Sequence, residues 1–386
     1  MIPTGTFYES VDIQQRFIRQ LAEIGRDQLG DLISLFTGFY LENKDSTKYI
    51  YGIAEGRSAL ALYDFLQQSS RYENIMPLTL DDPIRRYIDP EKRNLIIAAT
   101  GSGETRSVIR YLEDAFKLDV PVVLLTANVS SKAYKMVSEY DNGYVFVIPA
   151  YTGLDRKNLA TLGSEFELKL IVLLNALVPE LYHHDRRDIE RYYAQIDHFA
   201  MNAGLLKNID ADHLADWSDK VLNRRGNYMV DGVGRSGFVA KAFGMRLTHL
   251  GRNVFMRDGP TTPAFLRGDA YIPLSGSGNT REIIEGVVKA KLRGADVFPI
   301  LVNIDSRLSG LMGSWGYSKN IMYIPVSLED IGLYWEREMS KIVATKTVQA
   351  RPSISEINNY VFTNAFIALA MEMLGVSEQY LKRIHV

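Results

Sequence analysis

The chain is written twice. Gly56-Arg57-Ser58 returns as Gly234-Arg235-Ser236 after 178 residues, and Thr100-Gly101-Ser102-Gly103-Glu104-Thr105 returns as Ser275-Gly276-Ser277-Gly278-Asn279-Thr280 after 175. Asn128, following VVLLTA, returns as Asn303, following FPILV, again after 175, and Ile148-Pro149 returns as Ile324-Pro325 after 176. Four matches in one order at nearly one spacing define a duplication. The period is the size of a whole domain and too long for a solenoid. Two domains are expected, 1–190 and 191–386.

Each copy has the same rhythm. An apolar, β-type run (KYIYGIA; NYMVDGV) leads to a glycine turn and a helical stretch. A second run (NLIIAAT; AYIPLSG) leads to another turn and helix, and VPVVLLTAN or ADVFPILVN follows. Strands alternating with helices imply a parallel sheet covered on both faces, hence an α/β fold. Residues 8–45 and 181–226 read as mostly helical, the second group linking the halves.

Composition bounds the function. The net charge of -2 and pI near 6.3 point to neither nucleic acid nor an acidic membrane. The chain has no cysteine, which removes thiol nucleophiles, disulfides and zinc–thiolate sites. No H-E-x-x-H or clustered His/Asp ligand set is read, so neither metal nor cofactor is expected. No signal peptide and no apolar run of membrane-spanning length is read, and a cytoplasmic protein is expected.

The two hydroxyl-rich turns carry the chemistry. Each sits between a strand and an amphipathic helix, with Val108, Ile109, Leu112 and Phe116 on one face in the first copy and Ile283, Ile284, Val287 and Val288 in the second. Open α/β sheets bind ligands at such strand ends, and a helix N-terminus favours an anion. Thr100, Ser102 and Thr105, and likewise Ser275, Ser277 and Thr280, supply hydroxyls. Plain helix capping is the alternative. Gly232-Val233-Gly234-Arg235-Ser236-Gly237, with Asp258 downstream, fits the dinucleotide fingerprint. The first copy, GIAEGRSA, lacks that pattern, which weighs against a nucleotide.

Together these residues resemble the sugar-isomerase (SIS) family, and the second half resembles its 6-phospho-3-hexuloisomerase branch. The resembling strings are GVGRSGFVAKAFGMRLTHLGRNVF, DGPTTPAF and SGSGNTREI, covering about 195–350. Asn279 stands where the family usually has Glu; the first copy keeps Glu104. The resemblance implies two tandem SIS domains, each a flavodoxin-like or Rossmann-like three-layer sandwich, packed as a pseudo-dimer with sites near their interface. It also implies a phosphorylated sugar substrate, and relatives that assemble further make a homodimer an expectation.

The implied reaction interconverts phosphosugar isomers through an enediolate, which needs a base, and a carboxylate is a common choice. Leu162-Gly163-Ser164-Glu165-Phe166-Glu167 and the matching Ser353 and Glu356 offer Glu167 and Glu356. Ser-x-x-Glu is equally a capping box. His249 and His385 are further catalytic candidates. Gly56, Arg57, Ser58, Gly234, Arg235, Ser236, Thr261 and Thr262 join the turns as candidate substrate contacts. Two other functions stay open. One is amino-sugar phosphate isomerase or deaminase chemistry, suggested by Thr345-Lys346-Thr347-Val348-Gln349. The other is a phosphosugar sensor without turnover.

Overall fold

A computed structural model describes residues 2–41, 47–69, 75–80, 82, 93–150, 159–160, 164–182, 189–327 and 354–384. The first sheet holds β1 (Lys48–Ala54), β2 (Ile75–Thr79), β3 (Arg93–Thr100), β4 (Val122–Thr126) and β5 (Gly143–Val147). All are parallel, in the order β2-β1-β3-β4-β5. The second sheet holds β6 (Tyr228–Asp231), β7 (Val254–Met256), β8 (Ala270–Ser275), β9 (Asp296–Val297), β10 (Ile300–Leu301) and β11 (Met322–Tyr323). Its order, β7-β6-β8-β10-β11 with β9 also on β8, repeats the first in parallel. β9 and β10 together occupy the place of β4. The break falls at Phe298-Pro299, where proline has no N–H for the ladder.

Helices α1 (Gly5–Arg19), α2 (Arg26–Leu41), α3 (Gly56–Ser69), α4 (Arg106–Lys117), α5 (Lys132–Ser138) and α6 (Ser164–Tyr182) belong to the first half. Helices α7 (Ile189–Gly204), α8 (Ala211–Leu222), α9 (Arg235–His249), α10 (Arg281–Leu292), α11 (Arg307–Ser314), α12 (Ile354–Leu374) and α13 (Glu378–Ile384) belong to the second. The stretches expected to be helical, 8–45 and 181–226, take in most of α1 and all of α2, α7 and α8. No helix among the described residues is long and apolar enough to cross a membrane.

Strand alternation sorts the core into layers. In β3, Leu95, Ile97 and Ala99 face inward to a core shared by both halves, while Ile96 and Ala98 face outward to α4 and α5. In the second sheet Ile272 and Leu274 face the shared core and Tyr271 faces the outer layer with α10 and α11. The shared core takes in α1, α3, α6, α9 and α12. Each Leu or Phe fully buried there contributes about 1.5–3 kcal/mol.

The halves meet through α3 and α9, which run antiparallel. Met245 lies against Gly56 and Gln67 against Gly234, about where a side-chain carbon on either glycine would touch. The two contacts exchange under the 178-residue shift, the signature of a two-fold interface, here within one chain. Tyr63 of α3 meets Phe238 of α9 edge-on at 6.2 Å.

Candidate active sites between the halves

The strand order places a switch point between β1 and β3, and between β6 and β8. Crevices at such points bind ligands outside the carboxyl ends of the strands. The Gly56 turn after β1 and the Thr100 turn after β3 both open there, as do the Gly234 and Ser275 turns in the second half.

The hydroxyl turns are built alike. Gly103 donates its N–H to Thr100 Oγ1 at 3.2 Å and Gly278 donates to Ser275 Oγ at 3.1 Å. Glu104 N donates to Ser102 Oγ, and Asn279 N to Ser277 Oγ, both at 3.2 Å. Gly103 has φ 69° and Gly278 φ 63°, in the region glycine favours. A Cβ on Gly103 would meet Ser131 Oγ at 2.0 Å, and one on Gly278 would meet Ser306 Oγ at 2.2 Å. Lys132 N donates to Glu104 Oε1 and Arg307 N to Asn279 Oδ1, both at 2.9 Å. Asn279 thus keeps the bond that Glu104 makes, without its charge. Thr105 and Thr280 precede α4 and α10, yet neither hydroxyl caps its helix. Thr105 Oγ1 turns to Thr100 Oγ1 at 3.0 Å instead. The capping alternative therefore does not describe these hydroxyls.

The first glutamate cluster gathers residues from both halves. A Cβ on Gly101 would stand 2.9 Å from the ring of Phe166, so the hydroxyl turn packs on the first turn of α6, which carries Glu167. Arg57 Nη2 lies 2.5 Å from Glu167 Oε2, with both side chains largely buried. Arg246 of α9 is buried and donates from Nη2 to Ser164 Oγ at 3.2 Å. Burial raises the Glu167 carboxyl, against the opposing pull of Arg57 and Arg246. Burial, with Arg57 beside it, pushes Arg246 down to about 9, while Glu167 pulls it back.

The second cluster is the counterpart with different members. Arg235 Nη2 is 3.8 Å from Glu356 Oε2. Ser236 Oγ donates to Glu356 Oε1 at 3.3 Å, and Ser355 Oγ to Oε2 at 2.8 Å. Asp64 of α3 is fully buried, accepting at Oδ2 from Asn175 Nδ2 at 2.8 Å and Gln68 Nε2 at 3.4 Å. Burial pushes Asp64 up to about 6; Arg235 opposes this and Glu356 adds to it.

The remaining candidates spread out. Ser58 is partly buried in the first turn of α3, beside Arg57. Thr262 Oγ1 donates to Met256 O and closes the turn after β7, with Thr261 exposed next to it. His249 ends α9, in the same last turn as Arg246. His385, Gly163, Ser353 and the segment from Thr345 to Gln349 lie outside the described residues. The glycine fingerprint has a packing reason. A Cβ on Gly232 would meet Ser236 O at 2.5 Å, and one on Gly237 would meet Gly232 O at 2.6 Å. Sequence reasoning missed Arg246, Asp64, Gln68 and Asn175. Each enters a cluster through helix packing; Arg246 lies inside the resembling string GVGRSGFVAKAFGMRLTHLGRNVF, but nothing there singles it out.

No protein-family model matches the chain. The 3-hexulose-6-phosphate isomerase of Bacillus subtilis is 31% identical over 180 residues, 46% of this chain and 86% of that protein. The chain belongs to the 3-hexulose-6-phosphate isomerase family, of SIS type. The isomerase of that name from Methylomonas aminofaciens is 28% identical over 183 residues, 47% of this chain and 92% of its own length. Each of these family members is matched by about half of this chain, as a duplicated sequence requires. The two-sheet fold has solved counterparts along its whole length. Tagatose-6-phosphate ketose/aldose isomerase from Escherichia coli matches with a TM-score of 0.63 at 16% identity, covering 98% of this chain and 96% of that one.

Proposed function

We propose that the chain is a phosphosugar isomerase acting on a 6-phospho-3-hexulose-type ketose, with 1–190 and 191–386 as its two SIS domains. One observation carries this reading. A hydroxyl-rich turn of the kind that receives phosphate packs through Gly101 and Phe166 against the helix turn bearing a largely buried glutamate, Glu167. An anion site and a base side by side at the switch point are what this packing would provide. Family membership supports the reaction class.

Phosphate would sit on the Thr100–Thr105 or Ser275–Thr280 turn, met by backbone N–H groups and the start of α4 or α10. The glutamate would take the proton from the carbon beside the carbonyl, and the enediolate would be reprotonated at the former carbonyl carbon. Arg57 and Arg235 stand next to the two glutamates, where charge on the enediolate oxygens would be stabilised. His249 and His385 remain the candidates for shuttling the oxygen protons.

The test is a coupled assay that follows fructose 6-phosphate formed from 6-phospho-3-hexulose by the full chain. Turnover that is lost in Glu167→Gln with Glu356→Gln, while phosphosugar binding persists, supports the reading. Binding without conversion by the wild-type chain removes it.

A further inference from the structure

The helices that cross between the halves do not bring the same residues to the two glutamates. Under the 178-residue shift Gln68 corresponds to Arg246, and Asp64 to Ala242. Because α3 and α9 are antiparallel, α9 delivers Arg246 to the first half's cluster, while α3 holds Asp64 within the field of Arg235 and Glu356. Glu167 therefore lies in the field of a second arginine, Arg246, which bonds Ser164 in the same helix turn, whereas Glu356 lies in the field of a carboxylate, Asp64.

We propose that proton transfer is carried by the site built on Glu356, with Asp64 from the first half as its positioning residue, and that the site built on Glu167 turns over far more slowly. The inference rests on the isomerase reading above and deepens it.

The argument is one of charge. A general base gains a proton in the reaction and loses its negative charge. When Glu167 is protonated, the carboxylate nearest to two guanidiniums, Arg57 and Arg246, is neutralised, and their mutual repulsion counts against the step. When Glu356 is protonated, Asp64, ionised above about pH 6, still offsets Arg235, so the cation keeps an anionic neighbour at neutral pH. The contacts differ in the same sense. Arg57 clamps Glu167 at 2.5 Å, whereas Arg235 stands 3.8 Å from Glu356 and two serine hydroxyls share its oxygens. The charged groups facing Asp64 are Arg235 from α9 and Glu356 from α12; α6 presents the neutral Asn175 and α3 itself Gln68. Asn175 and Gln68 also bond each other at 2.8 Å, which fixes the carboxylate from both sides. The second half's hydroxyl turn carries Asn279 where the first carries Glu104, so it has one carboxylate fewer to oppose an anion.

The experiment compares single variants of the full chain. Glu356→Gln is expected to lower kcat by about 10²-fold or more, the usual worth of a general base, and Glu167→Gln by less than about tenfold. Asp64 takes up a proton as the pH falls through about 6, and Asp64→Asn does not titrate. The acid limb of the kcat–pH profile near pH 6 is then expected to flatten, a change that loss of packing alone does not produce. Equal losses in the two glutamine variants would overturn the inference, as would an unchanged acid limb in an Asp64→Asn chain that melts like wild type. Those results leave the isomerase reading standing. A wild-type chain that binds phosphosugar without converting it overturns both.

Discussion

Arg246 donates a hydrogen bond to Ser164 at 3.2 Å, joining the last turn of the second half's α9 to the first turn of the first half's α6. The bond crosses the pseudo-two-fold interface beside Glu167. The first half's candidate site is therefore completed by the second half, and Asp64 makes the relation reciprocal. Neither half holds its full cluster alone.

The Arg57–Glu167 pair is buried and close, so removing one partner leaves a buried charge behind. Arg57→Ala is expected to destabilise the fold by about 3–5 kcal/mol in urea denaturation. A loss under about 1 kcal/mol, the worth of an exposed pair, would contradict the geometry.

Asp64 gives a pH dependence of stability with a definite sign. Its carboxyl is raised from 3.8 to about 6 in the folded chain, so the folded state holds the proton more tightly than the unfolded one. That contribution is present in full below pH 4 and is lost as the pH rises through about 6. Two pH units correspond to about 3 kcal/mol. Asp64→Asn does not titrate, so its stability relative to wild type should rise by roughly that amount between pH 4 and 7. Parallel denaturation curves across that range would show Asp64 to be unperturbed.

Gly103 and Gly278 cannot accept a side chain. Each has a positive φ and a serine hydroxyl where Cβ would stand. Gly103→Ala and Gly278→Ala are each expected to cost about 1–3 kcal/mol, read as a lower melting temperature. Each should also weaken binding of fructose 6-phosphate in calorimetry, because the turn must move to relieve the clash.

Legibility in the sequence followed the range of the interactions. The duplication, the strand–turn–helix rhythm and the Ser/Thr turns depend on residues near each other in the chain, and they stand in the fold as expected. Glu167 was legible through Ser-x-x-Glu, although that pattern alone pointed as much to a cap as to a site. What lay beyond reading was packing between distant segments. Arg246 sits in an ordinary helix position, and only the antiparallel crossing of α3 and α9 carries it to the first half's glutamate turn. Asp64 reads as one polar position on an amphipathic helix until the shared core closes over it. The Asp231–Tyr271–Arg257 group beneath the Gly232 turn was hidden for the same reason: its members come from three separate segments of the second half.

The most direct test of the central claim is solvent exchange. The full chain is incubated with fructose 6-phosphate in deuterium oxide and the sugar is followed by NMR. An isomerase working through an enediolate with a glutamate base incorporates deuterium beside the carbonyl as a second hexulose phosphate appears, and Glu356→Gln suppresses both. Bound fructose 6-phosphate that keeps all its carbon-bound protons and forms no isomer would contradict the account.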